Sequence, residues 1–259
     1  MSPGELGITD THLVARIEEA GLNASAPPQQ RLLDGWLVRF SPGKAKRARC
    51  VNAIADGRFS VDERLHRCAA MYREAGLPLF VRITPFSRPA ELDGRLESMG
   101  WARIDDTRVM VLPVLNPRAT DTGGDIQTVA AEPFAHLVGE MRGSPLAQRL
   151  AHAQRLAMSP IPFVGVAIKV DGTTVACGQF ALESDLVGLY DIVTAPSHRR
   201  RGYATRLCAH LLAVASAHGA RCAYLQVDAQ NTAARSVYRR LGFIEGYSYH
   251  YRSPDLTAQ

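Results

Sequence analysis

The residues of this 259-residue chain whose types and spacing best suit chemistry lie in two stretches. The first, residues 192–204, reads IVTAPSHRRRGYA. Three consecutive arginines, Arg199, Arg200 and Arg201, run into Gly202, Tyr203, Ala204 and Thr205, where an apolar run of helical period begins. The first amides of a helix have no intrahelical partner, and its dipole places partial positive charge there. Gly202 removes the side chain where backbone must approach an anion, and Ala204 keeps the next turn thin. Cations, free amides and a glycine in that order make a cradle for a pyrophosphate. The second stretch, residues 224–243, reads YLQVDAQNTAARSVYRRLGF. Asn231, Ala234 and Tyr238 recur at helical spacing and share one stripe. A polar group, a small one and a phenol then line one groove, with Leu241 and Phe243 packing the other way.

These residues need elements to hold them. Residues 189–194 alternate as a strand that delivers the arginine loop. Residues 203–218 form a helix closed by Gly219, residues 223–228 a strand, residues 232–241 a helix, and residues 247–252 a last strand. Upstream, residues 126–130 begin a strand, 133–142 and 146–158 are helical, and 163–170 with 173–183 form a hairpin about Asp171-Gly172. The polar, glycine-rich segment NPRATDTGGD, residues 116–125, reads as a linker, dividing the chain into residues 1–118 and 119–259. In the first part, residues 10–20 form a helix and residues 36–40 a strand. A cationic arm follows at residues 44–49, of the kind that keeps a sheet edge solvated. Residues 60–76 form a helix with Ser60 as N-cap; 79–84 are strand, 89–99 helix and 108–114 strand.

An internal repeat links the two parts. LFVRIT with PAELDGRLESMGW parallels AYLQVD with TAARSVYRRLGF, and Gly100-Trp101 falls on Gly242-Phe243. Any strand–helix unit shares some of this pattern; a true repeat makes the first part a worn copy. Where the second part has its arginine loop, the first offers Asp56-Gly57-Arg58, so the first part is expected to bind no cofactor.

Composition narrows the classes. Apolar residues are 46% of the chain, enough for proper cores. No run approaches the roughly 18 apolar residues of a membrane span. The five cysteines, Cys50, Cys68, Cys177, Cys208 and Cys222, have no metal-ligand spacing, so no metal is expected. An odd, scattered count reads as reduced thiols in the cytoplasm. A net charge of +5 fits a polyanionic cofactor, and no recognition motif for nucleic acid accompanies the arginines.

The spacing Arg199-x-x-Gly202-x-Ala204 resembles the R/Q-x-x-G-x-G/A signature of the GNAT acyltransferases, which bind acetyl-CoA. The run Asn231-x-x-Ala234-x-x-x-Tyr238-x-x-x-Gly242-Phe243 resembles the last motif of that superfamily. The clear resemblance covers residues 163–251; the first part is similar to the degenerate copy of tandem members. It implies an α/β (mixed α+β) fold of two tandem GNAT-like domains, each a mixed, mostly antiparallel twisted sheet flanked by helices. It implies transfer of acetyl from acetyl-CoA to a small-molecule or peptide amine. By the same resemblance the strand before the loop splays, freeing the backbone of Ile192, Val193 and Thr194 for the pantetheine and thioester. Residues Arg199 to Thr205 would take the pyrophosphate, Asn231 would meet the pantetheine arm or serve only as N-cap, and Tyr238 would be the general acid or a packing aromatic. Arg200, Arg239 and Arg240 are either solvated or near the 3′-phosphate. Asp191, with Glu183 and Asp228 near it, is the candidate base, or a base acts through water. His198 and His218 read as loop and helix-end residues. An attacking amine must lose a proton from a group of pKa about 10.4, and a leaving thiolate of pKa about 8.5 gains one from a phenol. A CoA-binding regulatory module without transfer is the alternative.

Overall fold

The computed structural model describes residues 10–116 and 125–254, so residues 117–124 of the expected linker and the boundary at 118/119 lie outside the described residues, while Asp125 already opens a strand. The strands are β1 (Gln29–Leu33), β2 (Trp36–Phe40), β3 (Val51–Ala53), β4 (Val81–Ile83), β5 (Ala102–Leu112), β6 (Asp125–Val129), β7 (Phe163–Val170), β8 (Thr173–Glu183), β9 (Leu186–Thr194), β10 (Cys222–Asp228) and β11 (Ile244–Ser253). The helices are α1 (Thr11–Ala24), α2 (Val61–Glu74), α3 (Leu92–Ser98), α4 (Ala131–Met141), α5 (Leu146–Ala157), α6 (Tyr203–Ala217) and α7 (Thr232–Arg240).

The strands form one eleven-stranded sheet in the order β1-β2-β3-β4-β11-β5-β10-β9-β8-β7-β6. Its pairs are antiparallel except β3/β4 and β9/β10. The mixed, mostly antiparallel sheet flanked by helices agrees with the expected fold class. Two separate sheets were the expectation, and here one continuous sheet is found. The cause is an exchange at the centre. The last strand of the chain, β11, pairs with β4, while β5 pairs with β10, and β11 and β5 pair with each other. Outward from that central pair both sides run alike: β4-β3-β2-β1 on one, β10-β9-β8-β7 on the other, with β6 as an extra edge.

Local sequence sets the helix starts. Asp10 accepts from the His12 and Leu13 amides at 3.0 Å, and Ser60 from the Glu63 amide at 3.2 Å. The core under α6 and α7 joins Leu207, Cys208 and Leu211 to Ile168, Phe180 and Phe243. The first half has its own core around Trp36, Leu65, Tyr72 and Leu96. A third cluster, with Ile17, Phe80, Val109, Tyr224 and Tyr251, fills the seam made by the exchange. Each such large side chain contributes about 1.5–3 kcal/mol when fully buried.

Two expectations are corrected, and one strand was not foreseen. Helix α1 continues past Ala20 to Ala24, because Gly21 lies against Gln226 and the first true block is Pro27-Pro28. The polar run Gln29–Leu33 is an edge strand that alternation did not reveal. The arm at residues 44–49 is no solvated edge: Arg47 is turned inward, donating to Gln226 and to the Tyr249 hydroxyl, and Lys46 donates to Asp105 at 2.6 Å. The exchanged strands carry those acceptors to it.

Candidate active site

Strands β9 and β10 pair only from Leu186/Cys222 to Leu189/Leu225. Beyond that, β9 is held by β8 alone and β10 by β5 alone. The strands part, leaving backbone groups of Ile192, Val193 and Thr194 on the β10 side without a strand partner. The local cause is a register shift opposite Gly178, with Asp191 at φ +54°. A Cβ at Gly178 would lie 2.5 Å from Ile192 Cδ1, so Ile192 would have to move to admit it.

After β9 the Ala195 amide returns to Val175 O at 2.9 Å and a 3-10 turn spans Pro196–His198. Gly202 then stands at φ +84° as the N-cap of α6. No side chain caps this helix and its first turn holds no acid. Its first ladder bond runs from the Arg206 amide to Gly202 O at 3.1 Å, so the amides of Tyr203, Ala204 and Thr205 are open. A Cβ at Gly202 would find nothing nearer than Arg206 Nε at 3.9 Å, so the backbone there is accessible. Among the described residues no carboxylate pairs with Arg199, Arg200 or Arg201.

A cavity of about 770 Å³ lies between this loop and α7. Thr194, Arg199, Arg200, Gly202, Tyr203, Ala204, Thr205 and Ala234 line it, as expected. The Thr194 hydroxyl is buried without a hydrogen-bond partner. Arg206 and Ser236 line it too and were not foreseen. Arg206 lies one turn after Gly202, its guanidinium 5.5 Å from the Tyr203 ring centre, and that i, i+4 spacing was the available signal. Arg240 also reaches the cavity, and donates to Ser236 Oγ at 3.1 Å.

Other expected residues lie elsewhere. The Ile192 side chain turns over Gly178 into the α6 core, Val193 packs toward α4, and Arg201 is exposed. Asn231 Oδ1 accepts from the Ala234 amide at 3.1 Å, so its oxygen is engaged as the N-cap of α7. Tyr238 is 8% exposed, with Cys208 and Phe243 in its cluster. Phe243 therefore does not pack away from it: their rings are 6.1 Å apart. The Tyr238 hydroxyl makes no hydrogen bond among the described residues. Burial, then the Cys208 thiol, push its pKa well above the ordinary phenol value, and the Arg142 charge acts against them. Arg142 is the C-cap of α4.

Asp191 does not have the setting of a general base. Its carboxylate accepts from Arg142 Nη1 and from Gln179 Nε2, both at 2.7 Å, with His152 Nε2 at 3.3 Å. Burial alone would raise its pKa; His152 and Arg142 outweigh that and hold it far below the usual carboxylate range. The other two carboxylates are also engaged: Glu183 accepts from Asn23 at 2.8 Å, and Asp228 from the Gln230 amide at 2.7 Å.

The matching place in the first half is filled from within. The Asp34 carboxylate accepts from the Phe59 amide at 2.8 Å just before α2, which Ser60 caps and whose first turn carries Asp62 and Glu63. A Cβ at Gly57 would lie 2.2 Å from Asp34 Oδ2.

Comparison with known proteins agrees with this geometry. The family model described as "Probable histone acetyltransferase Rv0428c C-terminal" matches residues 11–252, and the chain belongs to that family. It is 26% identical over 231 residues to the uncharacterized N-acetyltransferase YobR of Bacillus subtilis (strain 168), covering 86% of this chain and 91% of that protein. A GCN5-related N-acetyltransferase from Kribbella flavida shares its fold, with a TM-score of 0.68 at 20% identity over 96% of this chain and 97% of the other. A tandem GNAT protein from the clavulanic acid biosynthesis pathway superposes with a TM-score of 0.58 at 15% identity, over 74% and 68% of the two chains. The protein is thus an acetyl-transferring enzyme of GNAT fold. Among the described residues no helix is long and apolar enough to cross a membrane, and no cluster of three or more His, Cys, Asp or Glu side chains could hold a metal.

Proposed function

We propose that this protein is an acetyl-CoA-dependent N-acetyltransferase acting on an amine, with its machinery in the second half. One observation carries the reading. The end of β9 at Thr194, past the last β9/β10 pair, the uncapped start of α6 and the unpaired Arg199 and Arg200 all adjoin one cavity closed by α7. The residues fit the co-substrate. Open amides of Tyr203 to Thr205, Arg199 and Arg200 suit a pyrophosphate, and the partnerless Thr194 hydroxyl and the free edge of Ile192 to Thr194 suit an amide-bearing arm. Bound acetyl-CoA would supply an activated thioester. The strand's free amides would then stabilise negative charge developing on the carbonyl oxygen. Tyr238, kept protonated by burial, would donate to the departing sulfur. Asp191 would position Arg142 and His152 beside the gap.

The first half reads as a worn copy that shares a sheet with the second by strand exchange and binds no cofactor, because Asp34 already occupies its loop and α2 opens with two acids. Five buried free thiols suit a cytoplasmic setting. The test is thiol release from acetyl-CoA over a panel of amines. Turnover with one of them is expected; tight acetyl-CoA binding with no turnover on any amine would instead favour a regulatory module.

A further inference from the structure

The face of β9 away from the loop cavity carries a second cavity, of about 100 Å³, between the α4/α5 pair and residues 41–48 of the first half. Thr194 lines the first cavity and Asp191 the second, three residues apart on the parted strand. Whatever enters the second cavity therefore meets β9 where its backbone edge is unpaired.

The charges around it are unbalanced. Lys44, Arg142, Arg149 and Arg155 line it with His152, against the single carboxylate of Asp191. Asp191 matches Arg142 at 2.7 Å, and Arg149 is matched by the exposed Glu140 at 3.0 Å. Lys44 and Arg155 have no carboxylate partner among the described residues. Arg155 is the telling one. Its half-buried guanidinium donates to Ala24 O at 3.2 Å and lies 5.7 Å from the Phe163 ring centre. A half-buried cation without an ion-pair partner is costly, and burial holds the pKa of Arg155 below its ordinary value although the Asp191 charge acts against it.

We propose that this cavity is the acceptor's recognition site and that the acceptor is a small amine bearing an anionic group, a carboxylate or a phosphate, which Arg155 and Lys44 receive. The inference rests on the acetyl-transfer reading above. At about 30 Å³ for each water in the liquid, a cavity of about 100 Å³ holds about three waters, room for a carboxylate or a phosphate. A lysine-rich peptide would meet like charge there.

The test uses matched amines differing in charge: glutamate against its diamide, and phosphoethanolamine against ethanolamine. Binding is followed by equilibrium dialysis of the labelled amine in the presence of CoA, and KM by thiol release. The charged member of at least one pair is expected to bind about ten- to hundredfold tighter, as for hydrogen bonds to a charged group. Which pair responds separates carboxylate from phosphate. Arg155→Gln should remove most of that preference and leave acetyl-CoA affinity unchanged, and Arg155→Lys should keep part of it. If Arg155→Gln does not fold, Lys44→Gln, at an exposed position, should still weaken the preference. Equal binding of charged and neutral amines, a preference that survives loss of Arg155, or tighter binding of a lysine-rich peptide would overturn the proposal. Failure of acetyl-CoA to bind in calorimetry would sink the acetyl-transfer reading instead, and dialysis would still decide the anion site.

Discussion

Leu189 and Leu225 are the last paired residues of β9 and β10, and everything proposed for the site lies beyond them. Before this pair the strands share a parallel ladder; after it each keeps only its outer neighbour. The loop cavity lies against Thr194 and the cationic cavity against Asp191, both on β9 beyond that pair.

Tyr238→Phe removes a hydroxyl that has no hydrogen-bond partner among the described residues, so stability and acetyl-CoA affinity should change little. Turnover should fall by about 10²–10⁴-fold if the phenol donates the proton. The raised pKa fixes the sign of the pH effect: the protonated donor persists above its ordinary value, so its alkaline limb lies above about pH 10 and vanishes in the variant. Rates of both proteins across pH check this; wild-type turnover in the variant would leave Tyr238 a packing residue.

Acetyl-CoA should bind at one site per chain. In the first half, Asp34 already accepts from the Phe59 amide, and Asp62 and Glu63 oppose an anion at α2. A calorimetric titration that saturates at two sites per chain would refute the worn-copy reading.

Asp191→Asn should act on architecture. Losing the charge that holds Arg142 should cost about 1–3 kcal/mol at neutral pH. The folded-state pKa is depressed, so the wild-type advantage is present above about pH 4 and shrinks as pH falls below it. Urea melts at pH 7 and pH 3 measure this. The acid limb of the rate profile should stay in place in the variant, because the ion pairs of Asp191 suit a positioning role; a lost limb would restore it as the base.

Much of the second half was legible because its signals are local. Gly202, the arginines and the N-cap Asn231 announce themselves within a few residues. The bulge opposite Gly178 and the end of pairing at Leu189 left no comparable mark, since they depend on partners far along the chain. The same holds for the exchange of β5 and β11, which turned an expected solvated arm at residues 44–49 into a buried contact of Arg47 with Gln226 and Tyr249. Asp191 read as a base because its strand position was visible, while Arg142 and His152, its neutralising partners, come from separate helices.

The most direct test of the central claim is calorimetric titration of acetyl-CoA into the wild type, Gly202→Ala and Gly202→Glu. Room exists for a Cβ at Gly202, but its φ of +84° strains any side chain. Gly202→Ala should therefore lose about 1 kcal/mol of stability and lose affinity only as far as the free loop relaxes out of that conformation. Gly202→Glu adds a negative charge at the open amides of α6 and should abolish binding while the protein stays folded by circular dichroism. Unchanged affinity in folded Gly202→Glu, or no binding by the wild type, would contradict the account.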